Sequence, residues 1–410
     1  MEKLPSSKII LFFLFLGIFS GLILDKSYTI VGLNFYNVFD LIGTIFLNSL
    51  KMIVIPLIMS SLIYNISSFR NAHDISGLGI KTISFYLFTS LIAIFTGIFI
   101  VNIVDPGLIN GSGAANILGL KSSQNIDLIV EAQNNYSLKS FLLNIFSGNI
   151  FISIASGNML FIILFSVIFG LSIRSSSSKS INIVKDFWEG VYLIFLKIMR
   201  YILFFTPYAV FCLVAKATIN FSPDSYVILI NFFITVIIGL LIHLLISYPL
   251  ILYFFKKNVF EHFKAMSPAL LFAFSSSSSV ATIPITSKCL TDNLNYKEDR
   301  VNFIIPIGAT INMDGTALFE CVAVIFIAQL YGIDLSYVDQ FLIILLALIT
   351  SIGVAGIPSA SFVAILVILS TVGLPLEAVG IIFGIDRILD MLRTSVNIFG
   401  DSCCVSILSK

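Results

Sequence analysis

Charge is scarce in this 410-residue sequence: Asp, Glu, Lys and Arg make up 11% of it, against about 25% in an ordinary soluble domain. The 23 Lys and Arg nearly balance the 22 Asp and Glu, and both are scattered. No basic face for nucleic acid and no acidic tail results. Histidine is limited to His73, His243 and His262, which are dispersed and form no HExxH, arguing against a metalloprotease. The five cysteines, Cys212, Cys289, Cys321, Cys403 and Cys404, have neither the number nor the spacing of a disulfide framework or a zinc site. They read as small buried hydrophobes. A secretory leader is not expected: "MEKLPSSKIILFFLFLGIFSGLILDK" lacks an A-x-A-like cleavage site after its apolar core. It reads as a first transmembrane helix with Lys3 and Lys8 on the cytoplasmic side.

What is present is hydrophobic, 58% of all residues. Apolar runs of roughly 20 residues, enough to cross a bilayer, recur from one end to the other. They leave no room for a soluble domain of any size, so the expected fold is an all-α integral membrane protein. After the first helix, spans are expected at about 37–66, 79–103, 157–174, 184–217 and 225–255, with Pro56 and Pro207 kinking the second and fifth helices. The longest polar interruption, about 105–148, reads as a loop with amphipathic pieces.

Beyond about residue 265 the apolar runs are broken in the middle. "AMSPALLFAFSSSSSVATIPITSKCL" has two apolar arms around a polar centre, each too short to span alone, which suggests a re-entrant hairpin. "VNFIIPIGATINMDGTALFECVAVIFIAQL" is a full span whose helix should break at Asn312-Met313-Asp314-Gly315. The two shapes then recur in "QFLIILLALITSIGVAGIPSASFVAILVILSTVG" and "AVGIIFGIDRILDMLRTSVNIFGDSCCVSILSK". Interrupted segments in corresponding positions point to a transporter site built from half-helices. Two independent kinked helices are the alternative.

Asp386, Asp390, Arg393, Asn397 and Asp401 are spaced 4, 3, 4 and 4, which places all five on one stripe of a helix. Each ionised side chain at mid-bilayer costs about 2.5–3.5 kcal/mol on insertion scales, so the stripe must face protein, water or ligand. Asp390 and Arg393 could also pair simply to neutralise one another. An arginine fork that grips a carboxylate, one turn from an aspartate that binds ammonium, matches the two ends of an acidic amino acid. Asn397 and Thr316 can hydrogen-bond its α-carboxylate. Main-chain N–H groups near Ser278 and Ser279, and near Gly356 and Ile357, would add the anion preference of helix N-termini. Asp314 and Asp401 sit beside amides, hydroxyls and an unwound backbone, an oxygen-rich setting that suits a hard monovalent cation, with Thr310, Asn312 and the carbonyls of Gly308 and Asn397 completing the cages. Glu320, in an apolar helix, could carry a proton or be tied to a neighbouring helix.

The segments "INMDGTALFE", "SSSSSVATIP", "SIGVAGIP" and "GIDRILDMLRTSVNIFGD", with "KMIVIPLIMSSLI" and "FYLFTS" upstream, resemble signatures of the dicarboxylate/amino acid:cation symporter family, which includes excitatory amino acid transporters and bacterial glutamate/aspartate symporters. The resemblance implies eight transmembrane helices, two re-entrant hairpins, inverted repeats, a homotrimer and an elevator-type movement in the cell (inner) membrane. Residues 1–78 and 104–217 would form the scaffold; 79–103 and 218–410 would form the transport domain, with hairpins at about 265–290 and 338–372 and polar helices at about 300–331 and 376–408.

It further implies that Arg393 holds the substrate side-chain carboxylate and Asp390 its amino group. Thr394, Asn397, Thr316, Ser278 and Ser279 would hold the remaining polar atoms, under a lid around Gly356 and Ile357. Sodium would bind at Gly308, Asn312, Asn397 and Asp401; at Thr310, Met313, Ser351, Ile352 and Val354; and at Tyr86, Thr89, Ser90, Asn312 and Asp314. No cofactor and no enzymatic chemistry are implied. Having both Asp390 and Arg393 favours glutamate or aspartate over neutral amino acids or C4-dicarboxylates, and Asp401 favours sodium. Glu320 matches a proton-coupling glutamate of the family's animal members.

Three departures stand out: Ser277 and Met391 occupy positions where different relatives carry an arginine, Ser361 replaces a usual glycine, and Val354 replaces threonine or alanine. Arg387 lies one turn before the Met391 position. Readings outside this family are an ion channel or an intramembrane enzyme, though no histidine lies near the serine run.

Overall fold

A computed structural model describes residues 7–26, 28–30, 33–68, 76–109, 111–118, 120, 148–156, 158–175, 178–220, 223–353 and 361–408. The described residues are almost all helical, with two short antiparallel strand pairs, Thr29↔Asn34 and Leu108↔Gly113, in the first connections. Among the described residues, four helices are long and apolar enough to cross a membrane, namely Phe35–Ser67, Gly77–Val104, Asp224–Phe254 and Glu298–Leu330. A fifth candidate is a pair, Lys179–Phe204 and Thr206–Ile219, bent by 52° where Pro207 cannot supply an amide hydrogen to the turn before it. Pro56, by contrast, is carried inside the continuous helix α2 (Phe35–Ser68), where Ser60 donates to the Pro56 carbonyl at 2.6 Å.

Two groups of helices pack within themselves. In the first, α1 (Ser7–Ile23) lies on α7 (Thr206–Asn220), while α2 packs on α5 (Met159–Ser175), α6 (Lys179–Phe204) and α7. Lipid tails are as apolar as leucine, so close approach rather than water exclusion holds such pairs. Gly17 and Gly21, one turn apart on α1, supply it: a Cβ on Gly17 would stand 2.9 Å from the Phe211 carbonyl, and one on Gly21 would stand 2.8 Å from that of Ala215.

The second group centres on α13 (Asp314–Leu330), where every residue except Gln329 is buried. Around it stand α3 (Ser76–Val104), α8 (Pro223–Ile242), α14 (Tyr337–Gly353), α15 (Ser361–Val372) and α16 (Val379–Leu408). Gln329 clasps the end of α3, donating to Val101 O at 3.2 Å and to Asp105 Oδ1 at 2.9 Å. The start of the long loop docks on the same end through Ala115 N–H to Leu330 O at 2.8 Å; residues 121–147 of that loop lie outside the described residues.

The breaks expected in the last third are present where they can be described. The helix α12 (Glu298–Ile311) ends at Asn312, and α13 begins at Asp314. Residues Val259–Ser276 (α10) and Ser279–Lys288 (α11) form two arms that pack together, the first starting earlier than expected. Between them Ser277 adopts a left-handed conformation, φ 50°, and Ser278 caps α11 by accepting the Ala281 amide at 3.3 Å. The serine run therefore builds a tight turn and an N-cap. The arms α14 and α15 also pack together, but the connecting tip, residues 354–360, lies outside the described residues. All five polar stripe residues fall on the single helix α16 and are buried.

Candidate functional site

Arg393 is the largest fully buried side chain among the described residues, 1% exposed. Its Nη2 donates to Asp386 Oδ1 at 2.7 Å and to Asp390 Oδ1 at 3.0 Å. The guanidinium carbon lies 3.9 Å from the ring centroid of Phe319 on α13, so one face of the fork is held by cation–π contact. Arg387 reaches the other Asp390 oxygen, Oδ2, at 3.4 Å. The pairing foreseen as mere neutralisation thus exists, yet it uses only one nitrogen of the fork. Nε and Nη1 of Arg393 are buried with no acceptor among the described residues. Buried donors left so are costly, and a ligand carboxylate would satisfy both.

Asn397, one turn beyond Arg393, pins the broken helix. Its Oδ1 accepts the Gly315 amide at 2.8 Å, and its Nδ2 points to Met313 Sδ at 3.3 Å and Thr316 Oγ1 at 3.5 Å. A Cβ on Gly315 would stand 2.9 Å from Arg393 O and 3.0 Å from Arg393 Cα, both main-chain atoms that no rotamer change can move. G315A is therefore expected to destabilise the purified protein by about 1–3 kcal/mol, read as a lowered thermal midpoint in detergent. Thr394 is buried and donates to Asp390 O at 2.8 Å, and Ser279 is buried at the start of α11.

The candidate cation ligands gather around the α12–α13 break. Asn312 donates through Nδ2 to Asp401 Oδ1 at 2.9 Å and to Asn397 O at 3.1 Å. Its own Oδ1 and Asp401 Oδ2 are buried oxygens with no donor among the described residues. Such an oxygen-only pair suits a hard cation better than any hydrogen-bond donor the described residues offer. Gly308 makes the approach possible: a Cβ there would collide with Asp401 Oδ1 and stand 2.6 Å from Tyr86 Oη.

Asp314 opens α13, where the helix dipole favours a carboxylate. Ser90 donates to its Oδ1 in a short hydrogen bond, and Tyr248 donates to its Oδ2 at 2.6 Å. His243 Nε2 lies 3.4 Å from the same Oδ2. Met313 and Ser351 are also buried, Thr89 donates to Tyr86 O at 3.1 Å, and the exposed Thr310 donates to Ile307 O at 3.0 Å. The backbone of Ile352 is helical within α14, whereas Val354, Gly356 and Ile357 lie outside the described residues. Glu320 is fully buried, with Thr350 Oγ1 3.0 Å from its Oε2.

Sequence reasoning gave no role to Asp386, Phe319, Tyr248, His243 or Thr350. His243 is one of three histidines dispersed in the sequence; a five-residue π-helical turn, His243–Ser247, sets it and Tyr248 against Asp314, with their rings 4.5 Å apart. The available signal was a histidine and a tyrosine flanking polar Ser247 inside an otherwise apolar run.

A multi-pass helical membrane protein whose buried charged stripe meets a broken helix in its interior has the layout of a transporter site built from interrupted helices. The chain belongs to the sodium:dicarboxylate symporter family, whose family model matches residues 7–410. It is 36% identical over 399 residues to the "Proton/sodium-glutamate symport protein" of Geobacillus stearothermophilus, covering 96% of this chain and 93% of the relative. It is 34% identical over 405 residues to an "Excitatory amino acid transporter" of Caenorhabditis elegans, covering 89% and 80%. To the "Proton/glutamate-aspartate symporter" of Escherichia coli (strain K12) it is 31% identical over 410 residues, covering 98% and 91%.

Proposed function

We propose that this chain is a secondary active symporter that imports glutamate or aspartate with sodium ions and a proton, in the cell (inner) membrane. The observation that carries the reading is the buried Arg393, with two fork nitrogens that find no acceptor among the described residues and an aspartate at its other side. Arg393 holds the substrate's side-chain carboxylate, Asp390 its ammonium, and Thr316, Thr394, Asn397, Ser278, Ser279, Gly356 and Ile357 its remaining polar atoms. Sodium is taken at Gly308, Asn312, Asn397 and Asp401; at Tyr86, Thr89, Ser90, Asn312 and Asp314; and at Thr310, Met313, Ser351, Ile352 and Val354. Glu320 carries the proton. The names of the Geobacillus stearothermophilus and Escherichia coli relatives, a proton/sodium-glutamate and a proton/glutamate-aspartate symporter, support this choice of cargo.

The architecture that goes with this function is eight transmembrane helices and two re-entrant hairpins in inverted repeats, assembled as a homotrimer. Residues 1–78 and 104–217 form the scaffold, and 79–103 with 218–410 the moving transport domain. Each helix group packs more extensively within itself than across the seam where α7 meets α16 and α2 meets α14 and α15, which supports that division. The test is uptake of labelled glutamate, aspartate, succinate and serine into proteoliposomes with an imposed sodium gradient. Concentrative, sodium-dependent uptake of the two acidic amino acids is expected. Accumulation that ignores sodium, or succinate preferred to aspartate, would overturn the assignment.

A further inference from the structure

Thr350, on the first arm of the second hairpin, has one hydroxyl proton and three acceptors in reach, the farthest being Ala347 O at 3.5 Å. Its Oγ1 lies 2.7 Å from Leu346 O, one turn back on α14, and 3.0 Å from Glu320 Oε2 on α13. A hydroxyl can donate to only one of them at a time, although it can accept from a partner that carries a proton. The other carboxyl oxygen, Glu320 Oε1, is buried with no partner among the described residues. An ionised carboxylate so placed would have one weakly competing donor and an empty second oxygen. A protonated one is satisfied: Glu320 donates through Oε2 to Thr350, and Thr350 donates to Leu346 O, leaving only a carbonyl-like Oε1.

We infer that Thr350 is a positioning residue that ties the protonation state of Glu320 to the first arm of the second hairpin. With the proton on Glu320, the Thr350 hydroxyl closes its own helix turn. When the proton leaves, the hydroxyl swings to the carboxylate, abandons Leu346 O, and ties α14 to α13 by a hydrogen bond to a charge. Ser351 and Ile352, proposed sodium ligands, follow directly on the same helix. Loss of the proton is thereby felt at the arm that helps to hold sodium. The inference deepens the symport reading and rests on Glu320 as the proton carrier.

The groups that bear on Glu320 are few. Arg393 of α16, stacked on the neighbouring Phe319 and paired with Asp386 and Asp390, acts on it electrostatically, and the thiol of Cys321 adjoins it on α13. Helix α3 meets this level near Gly97, which approaches Leu318 and Val322, about two turns from Asp105 at the end of the helix and three turns from Tyr86. Phe232 of α8 touches Phe319 two turns from Asp224, and Asp339 of α14 lies three turns from Thr350. The α15 arm contributes no titratable side chain.

The experiment measures sodium-driven glutamate uptake and the accompanying proton uptake, the latter with an entrapped pH dye, across a pH series in proteoliposomes. Wild type is compared with T350V, T350A, T350S and E320Q. Without the hydroxyl the ionised carboxylate loses its donor, so proton release becomes harder. The pH midpoint of proton-coupled uptake is expected to rise by about 1–2 units in T350V and T350A, the size of one hydrogen bond to a charged group. T350S should return it to the wild-type position, since it keeps the hydroxyl and removes only the methyl. A midpoint unmoved in T350V and T350A while E320Q abolishes proton uptake overturns the role of Thr350. So does a T350S shift equal to that of T350V, which would make packing the cause. Proton uptake that survives in E320Q removes the carrier reading itself and this inference with it.

Discussion

Replacing Arg393 by cysteine is expected to lower uptake of glutamate and aspartate by at least about 100-fold, the scale of truncating one member of a buried, hydrogen-bonded charge pair. The side chain sits 1% exposed between Asp386 and Asp390. Without it those two carboxylates face a substrate that itself carries a net negative charge, and nothing offers a planar fork to the distal carboxylate. The proposed ammonium site at Asp390 persists, so small neutral amino acids such as serine should gain uptake. R393K keeps the charge but not the two-pronged geometry, and it is expected to recover only part of the loss. The check is a competition series in proteoliposomes, with thermal unfolding to confirm that each variant is folded. An aspartate-to-serine preference equal to that of wild type in folded R393C would mean that Arg393 does not read the substrate.

The second large effect is expected at Asp401. Its carboxylate is fully buried, one oxygen takes the Asn312 amide at 2.9 Å, and the other has no donor among the described residues. D401N keeps the shape, removes the charge, and puts an N–H where an oxygen would face the proposed sodium ion. The sodium concentration for half-maximal uptake should rise about tenfold or more, the scale of losing one charge-assisted contact. S402A tests whether the effect belongs to the site: Ser402 is the next residue but turns away, donating to Phe399 O at 2.6 Å and meeting His262 Nε2 at 2.8 Å. Its sodium dependence should match wild type. A D401N protein with wild-type sodium dependence would show that the orphaned oxygens hold no cation.

Much of the arrangement was legible before any coordinates. The broken span announced itself because Asn312, Asp314 and Gly315 cannot continue an apolar helix in lipid without protein around them. The stripe on α16 was legible because helical periodicity converts sequence spacing directly into a shared face. The bend before Pro207 followed from a missing amide hydrogen. What stayed hidden depends on contacts across the chain. The tyrosine that grips Asp314 lies 66 residues earlier, and the threonine beside Glu320 lies 30 residues later. Neither residue type is unusual in a membrane helix, so neither stood out.

The sequence by itself determined the class of fold, the order of its broken and unbroken helices, and which charged residues must share a protected face. Each of these follows from the price of polar groups in hydrocarbon and from local periodicity, both of which act along the chain. Only the tertiary structure decided the partners: that one nitrogen of Arg393 serves two aspartates while two others have no acceptor among the described residues, that Asp314 is held by three side chains from two other spans, and that Thr350 stands between Glu320 and its own helix. Hydrogen bonds act over about 3 Å, so their pairing is set by how helices cross, and spacing along one helix carries no record of its neighbour.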